Sequence, residues 1–261
     1  MSELVTTAVD ARGVAALTLN RPDKHNALDG AIMRELQAAL TQLQLDAKVR
    51  LVVLSGAGAS FCAGADIAHM RSMRDATEQQ NMDDALVLAR LLRTLDELDR
   101  PVIARVNGNV FGGGIGLVAC ADIAIAVESA KFALTEVRLG IVPAAISPYV
   151  VAAIGNRQAR RLFLTAASFD ATEARQLGLV HFTSPAELLN AAVEAQVDLV
   201  LRGGPEALRE AKKLVRRASP PVDRDTLTAE NARLLARLRV SPEGKEGLSA
   251  FLERRKPNWQ G

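Results

Sequence analysis

Two glycine turns, each set between a short apolar run and a helix start, and one glutamate downstream of the second, are the residues of this chain best placed to do chemistry. Residues Pro101 to Tyr149 read PVIARVNGNVFGGGIGLVACADIAIAVESAKFALTEVRLGIVPAAISPY. The β-branched run Val102 to Val106 predicts a strand, Asn107-Gly108 a turn, and Gly112-Gly113-Gly114 the opening of a helical stretch, Ile115 to Cys120. A helix start leaves backbone N–H groups unpaired at the positive end of the macrodipole, so an oxygen that is or becomes negative belongs there. Phe61-Cys62-Ala63-Gly64-Ala65-Asp66 repeats the arrangement. Amides of Ala65 and Gly113 aimed at one oxygen would form an oxyanion hole, suited to a thioester carbonyl that becomes an enolate as a proton leaves or joins the α carbon.

That chemistry also needs an acid or base, and a carboxyl among apolar neighbours has its pKa raised toward working pH. Glu136 is the candidate, lying among Phe132, Ala133, Leu134, Val137 and Leu139. The competing reading is a surface carboxylate paired with Arg138 or Lys131. Composition narrows the field further. Of 261 residues 49% are apolar and only 3% aromatic, so the core is aliphatic; 32 basic against 30 acidic side chains leave no net field for nucleic acid or a membrane. Cys62 and Cys120 offer neither a disulfide framework nor metal-ligand spacing and read as inert core thiols. The start has neither signal-peptide nor transit-peptide character, and no apolar run approaches the roughly 20 residues of a membrane span. A soluble, cytoplasmic protein is expected, without metal.

The elements that must position these groups follow in order. Leu4 to Val9 and Val14 to Asn20 read as strands around the turn Asp10 to Gly13. Asp29 can cap a helix with an apolar stripe at Ile32, Met33, Leu36, Leu40 and Leu43, and Leu51 to Leu54 is a strand buried on both faces, an order that predicts a parallel crossover. Asp66 to Arg74 reads as a short helix with Ile67, Met70 and Met73 turned inward, Asp75 to Asp83 as a polar loop, and Ala85 to Leu98 as a long amphipathic helix. Ile123 to Val127 is a further buried strand and Phe132 to Leu134 a short edge. After Tyr149 helical periods dominate, through Gln158 to Leu164, Ala171 to Leu177, Ala186 to Leu201, Glu206 to Ala218, Asp223 to Leu238 and Pro242 to Arg255, with no β-run beyond Leu179 to Phe182. The expected organisation is a β/α core over 1–185 and a helical region over 186–261 that packs on the core or on another subunit. Arg209, Lys212, Lys213, Arg216 and Arg217 make one helix face basic, which reads as a solvated surface.

The motifs Arg21-Pro22…Asn26-Ala27-Leu28, Phe61 to Ile67, Asn107-Gly108…Gly112-Gly113-Gly114, Ala121-Asp122-Ile123 and Glu136-Val137-Arg138-Leu139-Gly140, in that order, resemble the crotonase (enoyl-CoA hydratase/isomerase) superfamily from end to end. The resemblance implies an α/β fold, a spiral of β-β-α turns with a helical C-terminal region, assembled as a homotrimer or a dimer of trimers. It implies an acyl-CoA thioester substrate, no cofactor beyond the coenzyme A that the substrate carries, and an oxyanion hole of the Ala65 and Gly113 amides. Coenzyme A would bend over Lys24, Ala27 and Leu28, with its adenine against the backbone of Ala63, Asp66 and Ile67. Phe251 and Arg254 match positions that close the nucleotide end, often from a neighbouring subunit.

One departure bears on the reaction: the resemblance places a second glutamate two residues after the triple glycine, where this chain has Gly116. Either Glu136 activates water and returns the proton to the α carbon, with backbone carbonyls, Ser147 or Tyr149 orienting the water, or Glu136 alone shuttles a proton as in Δ3,Δ2-enoyl-CoA isomerases. The stretch Phe132 to Tyr149 resembles a subgroup that hydrates methylglutaconyl- and isohexenylglutaconyl-CoA, which also has glycine at this position, and this favours the hydratase. A glutaconyl substrate would want a cation at the far end of the acyl pocket, for which His69, Arg71, Arg74 and Arg138 are candidates. A dienoyl-CoA isomerase would need an aspartate near Ala144, and an acyl-CoA-binding protein without turnover is the non-enzymatic alternative.

Overall fold

The computed structural model describes residues 3–219 and 223–260; Met1, Ser2 and Gly261, at the outer limits of the two expected regions, lie outside the described residues. The chain opens as an antiparallel hairpin, β1 (Val5–Val9) against β2 (Val14–Leu19), with Val5 opposite Leu19 and Val9 opposite Ala15. Asp29 accepts hydrogen bonds from the Ala31 and Ile32 amides and so starts α1 (Gly30–Leu45), which buries the expected stripe, Ile32, Met33, Leu36, Leu40 and Leu43. This crossover returns the chain as β3 (Leu51–Gly56), parallel to β2.

From β3 onward the chain is a spiral in which each turn lays one strand in each of two sheets and then adds helix. β3 is followed by β4 (Ser60–Cys62), α2 (Ile67–Arg74) and α3 (Glu78–Asp96). β5 (Val102–Val106) is followed by β6 (Asn109–Phe111) and α4 (Gly113–Ala119). β7 (Ile123–Val127) is followed by β8 (Lys131–Ala133), a 3-10 turn over Glu136–Leu139, and α5 (Ser147–Thr165). β9 (Phe169–Asp170), α6 (Ala171–Leu177) and β10 (Phe182–Ser184) complete the two sheets. The larger runs β1-β2-β3-β5-β7-β10 and the smaller β4-β6-β8-β9, parallel except for β1 with β2 and β8 with β9. The bend between sheets is tight: a Cβ on Gly108 would lie 2.0 Å from the Ala59 carbonyl oxygen, so only glycine lets the β5–β6 turn pass the β3–β4 turn.

Three local expectations are corrected. Asp75 to Asp83 is not a loop, because Thr77 and Gln80 form a reciprocal capping box that starts α3 at Glu78. α2 buries none of its residues; Ile67 is 66% exposed and Met70 is exposed as well, since the helix faces a cavity instead of the core. Phe132 to Leu134 does not form an edge, because β8 has β6 on one side and β9 on the other, with the Phe132 and Phe169 rings stacked 5.4 Å apart.

Beyond β10 the chain is helical: α7 (Leu189–Leu201), α8 (Pro205–Ala218), α9 (Arg224–Val240) and α10 (Pro242–Leu252). α7 packs on β5 and β7 through Leu189, Val193 and Val197. The basic face of α8 is not merely solvated. Lys212, its side chain 9% exposed, bonds Asp122 at 2.8 Å and the Arg100 carbonyl at 3.2 Å, Lys213 pairs with Asp99, and Arg216 donates to the Asp96 carbonyl. α8 is thereby clamped over the start of the large sheet. Among the described residues no helix is long and apolar enough to cross a membrane, and no group of three His, Cys, Asp or Glu is placed to hold a metal ion.

Candidate active site

β4 and β6 are parallel neighbours in the small sheet, so they end at the same edge and the backbone that follows each emerges side by side. The contact between the two turns is close: a Cβ on Gly64 would lie 3.0 Å from the Phe111 carbonyl oxygen and 3.6 Å from the Gly112 nitrogen. Leu28 locks the first turn from the other side, its amide donating to the Gly64 carbonyl at 2.7 Å while its own carbonyl accepts from the Asp66 amide at 2.9 Å. That bridge leaves the Ala65 amide with no acceptor among the described residues. Gly113 is the first residue of α4, so its amide precedes the helical ladder and is also open. The two donors differ in origin from the expectation. Ala65 precedes the helix by two residues, because the Asp66 side chain caps α2 by accepting from Ala68 and His69.

The third member arrives through β8. The Gly112 amide donates to the Ala133 carbonyl at 3.1 Å, tying the turn before α4 to the end of β8, and three residues later Glu136 opens the 3-10 turn. Its Oε1 lies 3.3 Å from where a Cβ on Gly112 would be. Its Oε2 is buried and has no hydrogen-bond partner, and neither Lys131 nor Arg138 pairs with it. Burial pushes the Glu136 carboxyl above the ordinary carboxylate value, against the smaller opposing effect of a backbone amide hydrogen bond. An unpaired buried carboxyl is costly to keep for stability alone, and its place here is beside two open amides.

These groups border one cavity of about 310 Å³. Leu28, Met33, Leu88, Leu139, Ile141 and Ile146 give it an apolar lining; Ala63, Ala65, Gly112, Gly113, Thr135 and Glu136 lie along it. A larger depression of about 1530 Å³, between the β1–β2 turn and Trp259, is open and polar and includes none of the predicted catalytic groups. Among the cation candidates His69 alone lines this cavity, with Asp84; Arg71, Arg74 and Arg138 are exposed and away from it. Ser147 and Tyr149 do not reach it either. The Ser147 hydroxyl donates to the Ala144 carbonyl, and Tyr149 borders a separate pocket with Asp96, its hydroxyl pushed up to about 12 by burial. Gly116 is buried, and a Cβ there would come within 2.4 Å of Ile146 Cγ2, so the Ile146 side chain fills the space a second carboxylate would need.

The predicted coenzyme A residues divide. Ala27 and Leu28 are buried in the loop at the cavity mouth, which is held by Asn26: its carboxamide accepts from the Arg21 amide at 2.9 Å and donates to the Ala57 and Ser60 carbonyls at 2.9 and 2.8 Å. Lys24 and Ile67 stand exposed on either side. The Asp66 side chain, besides capping α2, is paired with Arg21 at 3.0 Å, which leaves its backbone as the part open to a ligand. Phe251 is 80% exposed and Arg254 is exposed in the left-handed region, and neither borders the cavity of its own chain. Both cysteines are buried, the Cys62 thiol pushed up to about 12, which removes them as nucleophiles. Sequence reasoning missed Thr135, Leu88 and Ile146, apolar or neutral residues whose role depends on which strand ends meet.

Residues 10–261 match the family model for enoyl-CoA hydratase/isomerase. The 2,3-dehydroadipyl-CoA hydratase of Escherichia coli is 32% identical, with both chains covered fully. Among solved structures, an enoyl-CoA hydratase from Shewanella pealeana superposes with a TM-score of 0.94 at 40% identity, covering 98% of this chain and 96% of that one. AtuE of Pseudomonas aeruginosa superposes with a TM-score of 0.95 at 40% identity, covering 99% and 100%. With the spiral, the paired turns and the match running almost the full length, this chain belongs to the enoyl-CoA hydratase/isomerase family, the crotonase superfamily.

Proposed function

We propose that the protein hydrates the double bond of an α,β-unsaturated acyl-CoA, with Glu136 as general acid/base and the Ala65 and Gly113 amides as oxyanion hole. The observation that carries this reading is the buried, unpartnered Glu136 Oε2 beside two open amides on an apolar cavity. The thioester oxygen accepts from both amides. Glu136 takes a proton from water as its oxygen bonds the β carbon, the thioester becomes an enolate, and the proton then passes from Glu136 to the α carbon. Each amide is worth about 3 kcal/mol to such an oxyanion. Lys24, Ala27, Leu28, Ala63, Asp66 and Ile67 hold coenzyme A. The exposure of Leu248, Phe251 and Leu252 supports assembly through the C-terminal helices as a trimer or dimer of trimers, with Phe251 and Arg254 reaching a neighbour's nucleotide. The resemblance around Glu136 favours 3-methylglutaconyl-CoA or a related branched enoyl-CoA as substrate, and the relative acting on 2,3-dehydroadipyl-CoA supports an acyl chain of that kind.

A second reading draws on Ile146 filling the space beside Gly116. With a single carboxyl at the turn, Glu136 could move one proton between α and γ carbons as a Δ3,Δ2-enoyl-CoA isomerase. Product mass after incubation with 2-enoyl-CoA separates them: hydration adds one water, isomerisation adds nothing, and binding without turnover returns the substrate.

A further inference from the structure

Adding water asks more of a site than moving a proton does. Glu136 can accept one hydrogen of the attacking water, but a water held by a single hydrogen bond still turns about it. Its lone pair meets the β carbon reliably only when a second contact fixes it. One place for that contact is closed, because Gly116 carries no side chain and Ile146 fills the space beside it.

The other polar groups near the cavity are already engaged. The Ser147 hydroxyl donates to the Ala144 carbonyl at 2.8 Å, and Tyr149 borders a different pocket. His69 and Asp84 are bonded to each other at 2.9 Å. The carbonyls around Glu136 each accept a hydrogen bond: Ala133 from the Gly112 amide at 3.1 Å, Thr135 from Arg138 at 3.0 Å and Glu136 itself from Ile141 at 3.2 Å. The Thr135 hydroxyl differs. Thr135 lines the cavity and precedes Glu136 directly, at the start of the 3-10 turn. A threonine in that place ordinarily accepts a hydrogen bond from the amides of the turn it opens. Its side chain makes no such bond, and Oγ1 has no other partner among the described residues. Half-buried beside the unpartnered Glu136 Oε2, the hydroxyl is left for a group that enters the cavity.

We infer that Thr135 orients the attacking water, in place of the second carboxyl that Gly116 cannot supply. The inference deepens the proposed function and rests on the hydratase reading. One water hydrogen is donated to Glu136 and passes to it as the proton. The other is donated to Thr135 Oγ1 and stays on the oxygen that bonds the β carbon. The π pair moves to the thioester oxygen at the Ala65 and Gly113 amides, and as the enolate collapses the α carbon takes the proton from Glu136. The product thus carries both hydrogens of the water, and Thr135 keeps its own. Exchange of an α hydrogen in a saturated thioester uses Glu136 and the two amides but no attacking water, so Thr135 has no part in it.

The test compares these two reactions in the wild-type chain, Thr135→Val and Thr135→Ser. Hydration of crotonyl-CoA is followed by loss of the enoyl absorbance, and exchange of the α hydrogens of butyryl-CoA in D2O by NMR. Thr135→Val, which keeps the shape and removes the hydroxyl, should lower kcat for hydration by about tenfold and leave KM within about twofold. Exchange in the same variant should stay within about twofold of wild type. Thr135→Ser, which keeps a hydroxyl, should hydrate within about threefold of wild type. Hydration at the wild-type rate in Thr135→Val overturns this inference alone. An equal loss of hydration and exchange also overturns it, since Thr135 would then only support the position of Glu136, and so does a Thr135→Ser variant as slow as Thr135→Val. A wild-type chain that exchanges α hydrogens but hydrates no enoyl-CoA removes the hydratase reading, and this inference with it.

Discussion

Glu136 lies directly against Gly112, its Oε1 3.3 Å from the point a Cβ there would occupy, and Gly112 holds φ at +46°. A side chain at this position would strain the backbone and press on the carboxyl together. Gly112→Ala is expected to cost about 1–3 kcal/mol of stability and to lower kcat by at least about tenfold, because the carboxyl is displaced from the open amides. Thermal unfolding and steady-state kinetics on the same preparation check both parts.

Ile146 and Gly116 share one space, with 2.4 Å separating Ile146 Cγ2 from a Cβ on Gly116. Gly116→Ala should destabilise by about 1–3 kcal/mol through overpacking. In the Ile146→Ala background the same change should cost much less, so a double-mutant cycle should show a coupling of about 1 kcal/mol or more. Additive effects would mean that the two side chains do not compete.

The raised Glu136 carboxyl carries a signed consequence for stability. A group whose folded-state pKa is raised binds its proton more tightly in the native state, so the stability it contributes is present below the ordinary value of 4.5 and is lost as pH rises through the folded value. At neutral pH the charged carboxyl therefore destabilises the fold. Glu136→Gln should raise stability there. The advantage should shrink as pH is lowered toward 4.5. Denaturation midpoints across that range provide the check.

Asn26 is fully buried with φ at +57° and bonds three backbone groups on two loops. Asn26→Ala leaves the Arg21 amide and the Ala57 and Ser60 carbonyls to find other partners, and should cost about 2–4 kcal/mol. Since this loop carries Ala27 and Leu28, the same variant should raise the KM for acyl-CoA more than it lowers kcat.

Much of this architecture was legible before any coordinates. The α1 stripe, the Asp29 cap and the buried runs at Leu51, Val102 and Ile123 are local signals, written in period and capping chemistry. The pairing of β4 with β6 is not local: both are three-residue strands, too short for a period, and what unites Ala65 with Gly113 is that two parallel neighbours end at one edge. The inward face assigned to α2 failed because its Met70 borders a cavity and its Ile67 is exposed, and an apolar stripe looks the same whether it meets core, ligand or solvent. The basic face of α8 failed because its acidic partners, Asp99 and Asp122, lie about a hundred residues earlier in the chain.

Turnover of crotonyl-CoA by Glu136→Gln shows whether Glu136 moves the proton while the two amides hold the oxyanion. In that variant kcat should fall by about a thousandfold or more, with affinity for a saturated acyl-CoA within about threefold of wild type, since the change is isosteric and leaves both amides in place. Turnover at the wild-type rate in that variant, with binding intact, would contradict it.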